Sequence, residues 1–483
     1  MSGQDTHANV PSLWAVSIFG GVFWKVTGEV GEAVAVADGS QIAFVGGSGE
    51  EIWLMKTGGE DRRRILGGDD GDRLANLAWV SEGRALVFSQ VRIGLYRFEV
   101  ALEYLDLVSG QVATVLSDAR LRGSCVSSDG RLVYALAEAA PRQSDVNFWE
   151  SQMDMLTGQV LSKPRRITNW MGSSLYALSV TRDGKRLAFL KGPYQANVYV
   201  GELGDEGATL KNPRRLTLDE RDHLPTAWTL DSSAVLFHSD RNGKWEIFTQ
   251  GLNDRTAELV ITAPEDCRAA RVSGDGQILY FVRNRDRLWK WTEPLTLMRA
   301  HLGGGSPGVV LSERRLYSVR CAQPPASLSI LGERKLSHFV FYALDPLRGK
   351  GREIARTAVD LPLDQNHWDV SPDGSQIAVL ASGGLPGRIR ILSLSDRSSR
   401  DVTVNGWGGF QSMDWSANGQ GWYVSSQSAT HANLLYIDLD GHARVLRQQP
   451  GRFQTWGVPS PDGHHLAFLE WTSASNVWMV ENF

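Results

Sequence analysis

The chain has 483 residues, with 50 basic and 54 acidic side chains and a net charge of −4. No long run of one sign occurs, which argues against the basic stripe of a nucleic-acid binder. Cys125, Cys267 and Cys321 stand far apart and are odd in number, so they suggest neither a disulfide framework nor a zinc site and read as small buried side chains.

Residues 9–24 form the first long uncharged stretch. Gly20-Gly21 interrupts it, each apolar arm is too short to span a bilayer, and no Lys or Arg precedes it. It reads as two strands joined by a turn, not as a membrane segment or a signal peptide.

From there a turn followed by a short apolar strand recurs along the chain. It reads Asp38-Gly39, Glu82-Gly83, Asp129-Gly130, Asp183-Gly184, Asp231-Ser232, Asp275-Gly276, Asp373-Gly374, Asn418-Gly419 and Asp462-Gly463. The spacing is roughly 45–50 residues, with one double gap in which a degenerate turn is expected at Pro324-Pro325. A repeat of this length with strand-type content predicts an all-β propeller.

The module at 173–217 shows the design. Leu175–Val180 is a first strand, Asp183-Gly184 turns the chain, and Leu187–Leu190 is a second strand, apolar throughout as if buried on both faces. Asn197–Glu202 and Pro213–Thr217 complete four strands. Second strands recur at Ile42–Val45, Ile377–Leu380 and Leu466–Leu469, and third strands at 51–55, 388–394, 434–439 and 476–480. No stretch between the modules reads as a long helix.

About ten modules exceed the four to eight blades of one ring. The expected division is therefore an incomplete N-terminal ring over 12–172, a half-module plus three blades, and a C-terminal ring of about seven blades over 173–483. One large ring is the alternative. The last module, 454–483, lacks a fourth strand, which Val22–Val26 would supply in a single ring.

Trp79, Trp228 and Trp415 end first strands, and Trp53, Trp245 and Trp478 lie in third strands. Repetition marks these as packing positions. Trp170, Trp407 and Trp456 fall outside the repeat and are the better ligand candidates.

Several patterns hint at chemistry. Asp69-Asp70-Gly71-Asp72 has no downstream acid at EF-hand spacing and reads as a solvated turn. Asp219-Glu220-Arg221-Asp222-His223 is the densest charged cluster, able in principle to hold an acid and a base but more simply an inter-blade loop. Gly304-Gly305-Ser306-Pro307-Gly308 matches the nucleophile elbow formally, yet a β-type run follows where a helix is required, so a hairpin turn is expected. His464-His465 follows a turn, and no histidine pair has metal-ligand spacing. Neither metal nor cofactor is expected, and no pair of catalytic carboxylates is readable.

Ser371-Pro372-Asp373-Gly374, Ser460-Pro461-Asp462-Gly463 and Ser239-Asp240-Arg241-Asn242-Gly243 followed by Trp245 resemble TolB-like (WD-like) propeller repeats over 30–483. The segments 164–170, 184–192, 211–222, 239–248 and 457–471 further resemble the C-terminal propeller region of large bacterial proteins of the acidobacterial type. There a Ser/Thr kinase or winged-helix domain precedes the propeller. The resemblance implies a sensory or interaction module of a signalling protein. It also implies an extracytoplasmic, periplasmic setting when a membrane-anchored parent carries the propeller, and a cytoplasmic one when it is made alone. This chain shows none of the kinase motifs and no helix-turn-helix. The array opens mid-blade at Leu13, which suggests a piece of a longer protein.

The functional expectation is a non-catalytic binding propeller. A hydrolase propeller, of the prolyl-oligopeptidase or glycosidase kind, is the alternative. The Asp-Gly turns occupy one face of the scaffold, so a protein or small ligand is expected on the opposite, variable-loop face. The candidate binding residues are Trp170, Asp219, Arg221, Asp222, His223, His367, Trp407 and Trp456.

Overall fold

A computed structural model gives the fold. It describes residues 2–483 except 6–7, 17–22, 29, 47–48, 68–71, 95–96, 140–144, 171–173, 182, 193, 284–294, 304–305, 314–315, 336–337, 359–367, 383–385, 429–430, 452–453, 474–475 and 482. The described residues form eleven antiparallel sheets, nine of them four-stranded, and two short 3₁₀ turns. This is the all-β propeller architecture that the repeat predicts. No helix among the described residues is long and apolar enough to cross a membrane.

The turn works as its chemistry dictates. Ser371 Oγ donates to Asp373 Oδ1 at 2.6 Å, the Ser375 N–H donates to the same oxygen at 3.0 Å, and Gly374 takes φ +72°. A carboxylate that accepts from both sides fixes the turn, and only glycine enters the left-handed region without strain. The same hydroxyl-to-carboxylate bond recurs from Thr229 to Asp231 and from Ser460 to Asp462. At Pro324-Pro325 the pair is missing, yet the chain still turns between Leu316–Cys321 and Ser329–Lys335, and the Ala322 N–H donates to Leu328 O at 2.9 Å.

The second strands are buried on both faces. Ile377, Ala378, Val379 and Leu380 are all fully buried. Ile377 and Val379 pack toward the preceding sheet, Ala378 and Leu380 toward the following one. Strand alternation thus serves two interfaces at once. Ile377, Val379 and Leu380 each contribute about 1.5–3 kcal/mol through burial. The repeated tryptophans tie neighbouring first strands together: Trp79 Nε1 donates to Val34 O at 3.0 Å, Trp228 Nε1 to Val458 O at 2.9 Å and Trp415 Nε1 to Asp369 O at 3.3 Å.

The chain divides into two compact units, 1–194 with 473–483, and 195–472. In the first unit, sheet 1 is Ser2–Asp5, Ala8–Ala15 and Trp24–Gly28. Sheets 2, 3 and 4 begin with Val30–Ala35, Asp72–Val80 and Leu121–Val126. Sheet 5 is Ser174–Val180, Arg186–Gly192 and the C-terminal strand Asn476–Glu481, in register with Ala188 opposite Met479. Four apolar clusters join these five sheets in succession.

In the second unit, sheet 6 has the order Thr209–Arg215, Tyr194–Gly204, His465–Ser473, Gly457–Pro459. Its two ends of chain meet in one sheet. Sheets 7 to 11 begin with His223–Trp228, Asp266–Val272, Leu316–Cys321, Trp368–Val370 and Phe410–Trp415. Six apolar clusters join these six sheets, and the sixth, built on Tyr423, Leu434, Leu466 and Phe468, brings sheet 11 back to sheet 6. The second unit is a closed ring.

This division differs from the boundary at 172/173 and the count of about seven modules read from the repeat. The module at 173–217 gives its first two strands to sheet 5 and its last two to sheet 6. The module at 454–483 gives its first two to sheet 6 and its third to sheet 5. Val22–Val26 does not close the ring, since Trp24–Gly28 pairs with Ala8–Ala15 and Tyr194–Gly204 takes the closing place. The physical reason is that modules of one pattern offer interchangeable strand edges, so their pairing is settled by distant contacts and not by the local sequence.

Candidate ligand site in the channel of the closed ring

The first strands of the second unit line its channel, and a cavity of about 100 Å³ lies there. Each strand presents an equivalent residue two positions before the one that opens its turn, a Ser or Thr in five sheets' turns and Ala322 in sheet 9. Around the ring these are Ala227, Arg271, Arg320, Asp369, Asp414 and Val458, and all six line the cavity. Two arginines sit beside two aspartates, and the remaining third of the collar is apolar. Leu230, Gln323, Pro372 and Pro461 also line the cavity, so it lies toward the turn face of the ring, not the variable-loop face.

The collar is largely buried. Arg320 is 3% exposed and Asp414 8%. Arg320 Nε lies 3.3 Å from Asp369 Oδ1 and donates to Trp368 O at 3.2 Å, while its Nη2 is buried without a partner. Asp369 also accepts from the Val370 N–H at 2.9 Å and the Trp415 N–H at 2.8 Å. Arg271 donates through Nη1 to the carbonyls of Thr226 and Ala270. Burial pushes the Asp369 carboxyl up to about 7; Arg320 opposes this and the like charge of Asp414 adds to it. Burial raises Asp414 as well, against Arg320 and Arg271. Arg271 falls to about 10, through burial and then through Arg320 beside it.

Sequence reasoning did not single out these four residues. The signal was present in part: counting two back from the turn hydroxyl gives Arg271, Asp369 and Asp414, while Arg320 precedes the degenerate turn, where Ala322 stands in the hydroxyl's place. In the first unit the equivalent positions hold Val34, Ala78, Cys125 and Ser179, none of them charged.

The charged loop of the sequence reading lies in the second unit, ahead of sheet 7. The structure brings Asp219, Asp222 and His223 together with Asp240 and Arg241. Asp219 Oδ1 meets His223 Nε2 at 2.6 Å and Asp219 Oδ2 meets Arg241 at 2.7 Å. Gln195 Nε2 donates to the carbonyls of Asp219 and Arg221, which pins the loop. Asp222 Oδ1 accepts from the Ala196 N–H at 2.9 Å. Burial raises Asp222 to about 6, and the charge of Asp240 adds to this. Burial acts to raise Asp219 too, but the His223 hydrogen bond and the charges of His223 and Arg241 hold it below its usual range. His223 is lowered by burial, against its bond to Asp219. Arg221 is exposed.

The three tryptophan candidates are half-buried, each packed against an inter-sheet cluster. Trp170 meets Phe148 and Phe189 at 6.1 and 5.6 Å between ring centres, with Lys191 Nζ 4.1 Å from its own. Trp407 packs on the cluster between sheets 10 and 11, and its carbonyl accepts from the Gly387 N–H at 2.7 Å. Trp456 Nε1 donates to Pro225 O at 2.9 Å. His367, most of the acidic turn at 69–72 and Gly304-Gly305 lie outside the described residues. Gly308–Glu313 pairs with Leu295–His301 as the last hairpin of sheet 8.

Cys125 and Cys267 are buried, as their sequence context suggested, and Cys321 is partly so. Among the described residues one grouping has metal-ligand geometry, Asp438, Asp440 and His442. It is an ordinary turn whose Asp438 Oδ1 already accepts from the Asp440 and His442 N–H groups.

An all-β propeller with one closed ring defines the class of protein. Solved structures that resemble it include TolB from Acinetobacter baumannii, 13% identical over 82% of each chain with a TM-score of 0.39. A protein described as TolB from Agrobacterium tumefaciens is 16% identical over 59% of this chain and 100% of its own, with a TM-score of 0.46. A puromycin hydrolase is 15% identical over 82% of this chain and 58% of its own, with a TM-score of 0.33. No protein-family model and no curated protein matches the chain.

Proposed function

We propose that this chain is a non-catalytic binding module, a TolB-like scaffold whose closed ring takes a protein or a small ligand. The collar carries the reading: four charged side chains at equivalent places around a cavity of about 100 Å³. Pockets for drug-sized molecules run to about 300–1,000 Å³, so this cavity suits recognition of a small charged group. Asp219 and Arg221, held from beneath by Asp222 and the buried His223, form the proposed partner surface at the variable-loop face. A role as the input part of a bacterial signalling protein, kinase-associated or otherwise, rests on the sequence resemblance, and reading the coding sequence upstream of Met1 tests it.

Affinity capture from a bacterial lysate tests the scaffold reading. The full chain is expected to retain a specific partner that the Asp219→Ala/Arg221→Glu variant loses. Equal capture by both would remove the loop from the interface.

One observation favours a hydrolase as the second reading. Asp369 and Asp414 neighbour each other in the cavity, and a carboxyl raised beside another carboxylate is what acid–base cleavage of glycosides uses. Turnover of chromogenic glycosides or peptide anilides, lost in Asp369→Asn, would establish it and overturn the non-catalytic reading.

A further inference from the structure

The collar does not satisfy its own charges. Arg320 Nη2 is buried and unpartnered. Arg271 uses only Nη1, and on backbone carbonyls. The Asp414 side chain accepts no hydrogen bond, although the residue is more than nine-tenths buried. Asp369, by contrast, is engaged by two N–H groups and Arg320. Leaving charged groups in a low-dielectric channel without partners is costly. What completes them must bring an acceptor to the arginines and a donor to Asp414, within about 100 Å³.

The order around the ring restricts the ligand further. Arg271 and Arg320 are consecutive, Asp369 and Asp414 follow, and Val458 and Ala227 close the circle with apolar surface. A plain anion would meet Asp414 with like charge, and a plain cation would meet the arginines. A zwitterion meets neither. We propose that this cavity binds a free α-amino acid with a small apolar side chain. Its carboxylate would rest on Arg271 and Arg320, its ammonium on Asp414, and its side chain toward Ala227 and Val458. A ligand of about six non-hydrogen atoms is comparable to the handful of waters such a cavity holds.

The proposal rests on reading the second unit as a binding ring, but its test is separate from partner capture. Calorimetric titration of the full chain would compare L-alanine with propionate, which lacks the ammonium, and ethylamine, which lacks the carboxylate. A charge-assisted hydrogen bond contributes about 1.5–3 kcal/mol, so alanine is expected to bind at least about tenfold more tightly than either. In Asp414→Asn, alanine should lose about tenfold while propionate loses nothing, a crossover that a merely structural role would not produce. Propionate binding as well as alanine to the unaltered chain would show an anion site and overturn the proposal. Binding of none of the three by the folded chain, with partner capture intact, would overturn it and leave the scaffold reading standing. The comparison on the unaltered chain decides the matter even where Asp414→Asn fails to fold.

Discussion

The two units are built from the same module, yet among the described residues the equivalent channel positions are charged in the second unit and uncharged in the first. In the first, four clusters join five sheets, and the collar positions hold Val34, Ala78, Cys125 and Ser179. In the second, six clusters join six sheets, and the same positions hold Arg271, Arg320, Asp369 and Asp414 between Ala227 and Val458. Closure surrounds the collar with low-dielectric walls, and there neighbouring charges act strongly on one another. The contrast teaches that the repeat provides a scaffold position and that ring closure gives the residue at that position its chemistry.

The strongest way to break the contrast is to open the ring. Phe468 is fully buried in the cluster that joins sheets 11 and 6, and Phe468→Ala should cost about 3–5 kcal/mol. Segment-resolved hydrogen exchange should show the loss of protection across 195–472. A loss confined to sheet 6 would mean that closure does not hold the ring together.

Next in size is Arg320→Ala. It leaves Asp369 without its cation, and breaking a buried pair costs about 3 kcal/mol or more. Ser179→Ala at the equivalent place of the first unit should change stability by less than about 0.5 kcal/mol. Denaturant midpoints of the two variants check the difference.

The pH dependence sharpens the comparison. Asp369 sits near 7 and Asp222 near 6 in the folded chain, both raised first by burial. Between about pH 4 and 7 the folded state therefore holds protons that the unfolded state has released, so these groups make stability fall as pH rises through that window. Asp369→Asn and Asp222→Asn should each flatten the fall. A stability profile of 195–472 that rises from pH 5 to 7 and is unaltered by either change would contradict the assignment.

The smallest effect is expected where the units are alike. Gly39 and Gly374, one in each unit, sit at φ +73° and +72°, and alanine at either should cost about 1–2 kcal/mol from the left-handed backbone. Closely similar losses in thermal unfolding would confirm that the turn is one device used twice. A much larger loss at Gly374 would point to its nearer neighbours, Ala322 and Leu328 at 3.4 and 3.5 Å.

Much of the scaffold was legible in the chain. The Asp-Gly turns, the apolar second strands and the structural role of Trp79, Trp228 and Trp415 follow from local chemistry, which a repeated pattern states many times over. The site was legible only in part. Asp219, Asp222 and His223 stood out because they fall within one five-residue charged run, and the structure brings them together. The collar stayed hidden because its residues lie about 45 apart and no local pattern joins them. Trp170, Trp407 and Trp456 looked free because they break the repeat, yet each packs against an inter-sheet cluster.

The sequence by itself determined the class of fold, the turn chemistry and which faces of each strand are buried, since these depend on neighbours a few residues away. Only the tertiary structure decided that 194–204 pairs with 465–473 while 476–481 pairs with 186–192. Equivalent strand edges are locally indistinguishable, and the pairing was chosen by contacts across more than 250 residues. That choice closed one ring, and the closed ring brought four separated charges into one cavity.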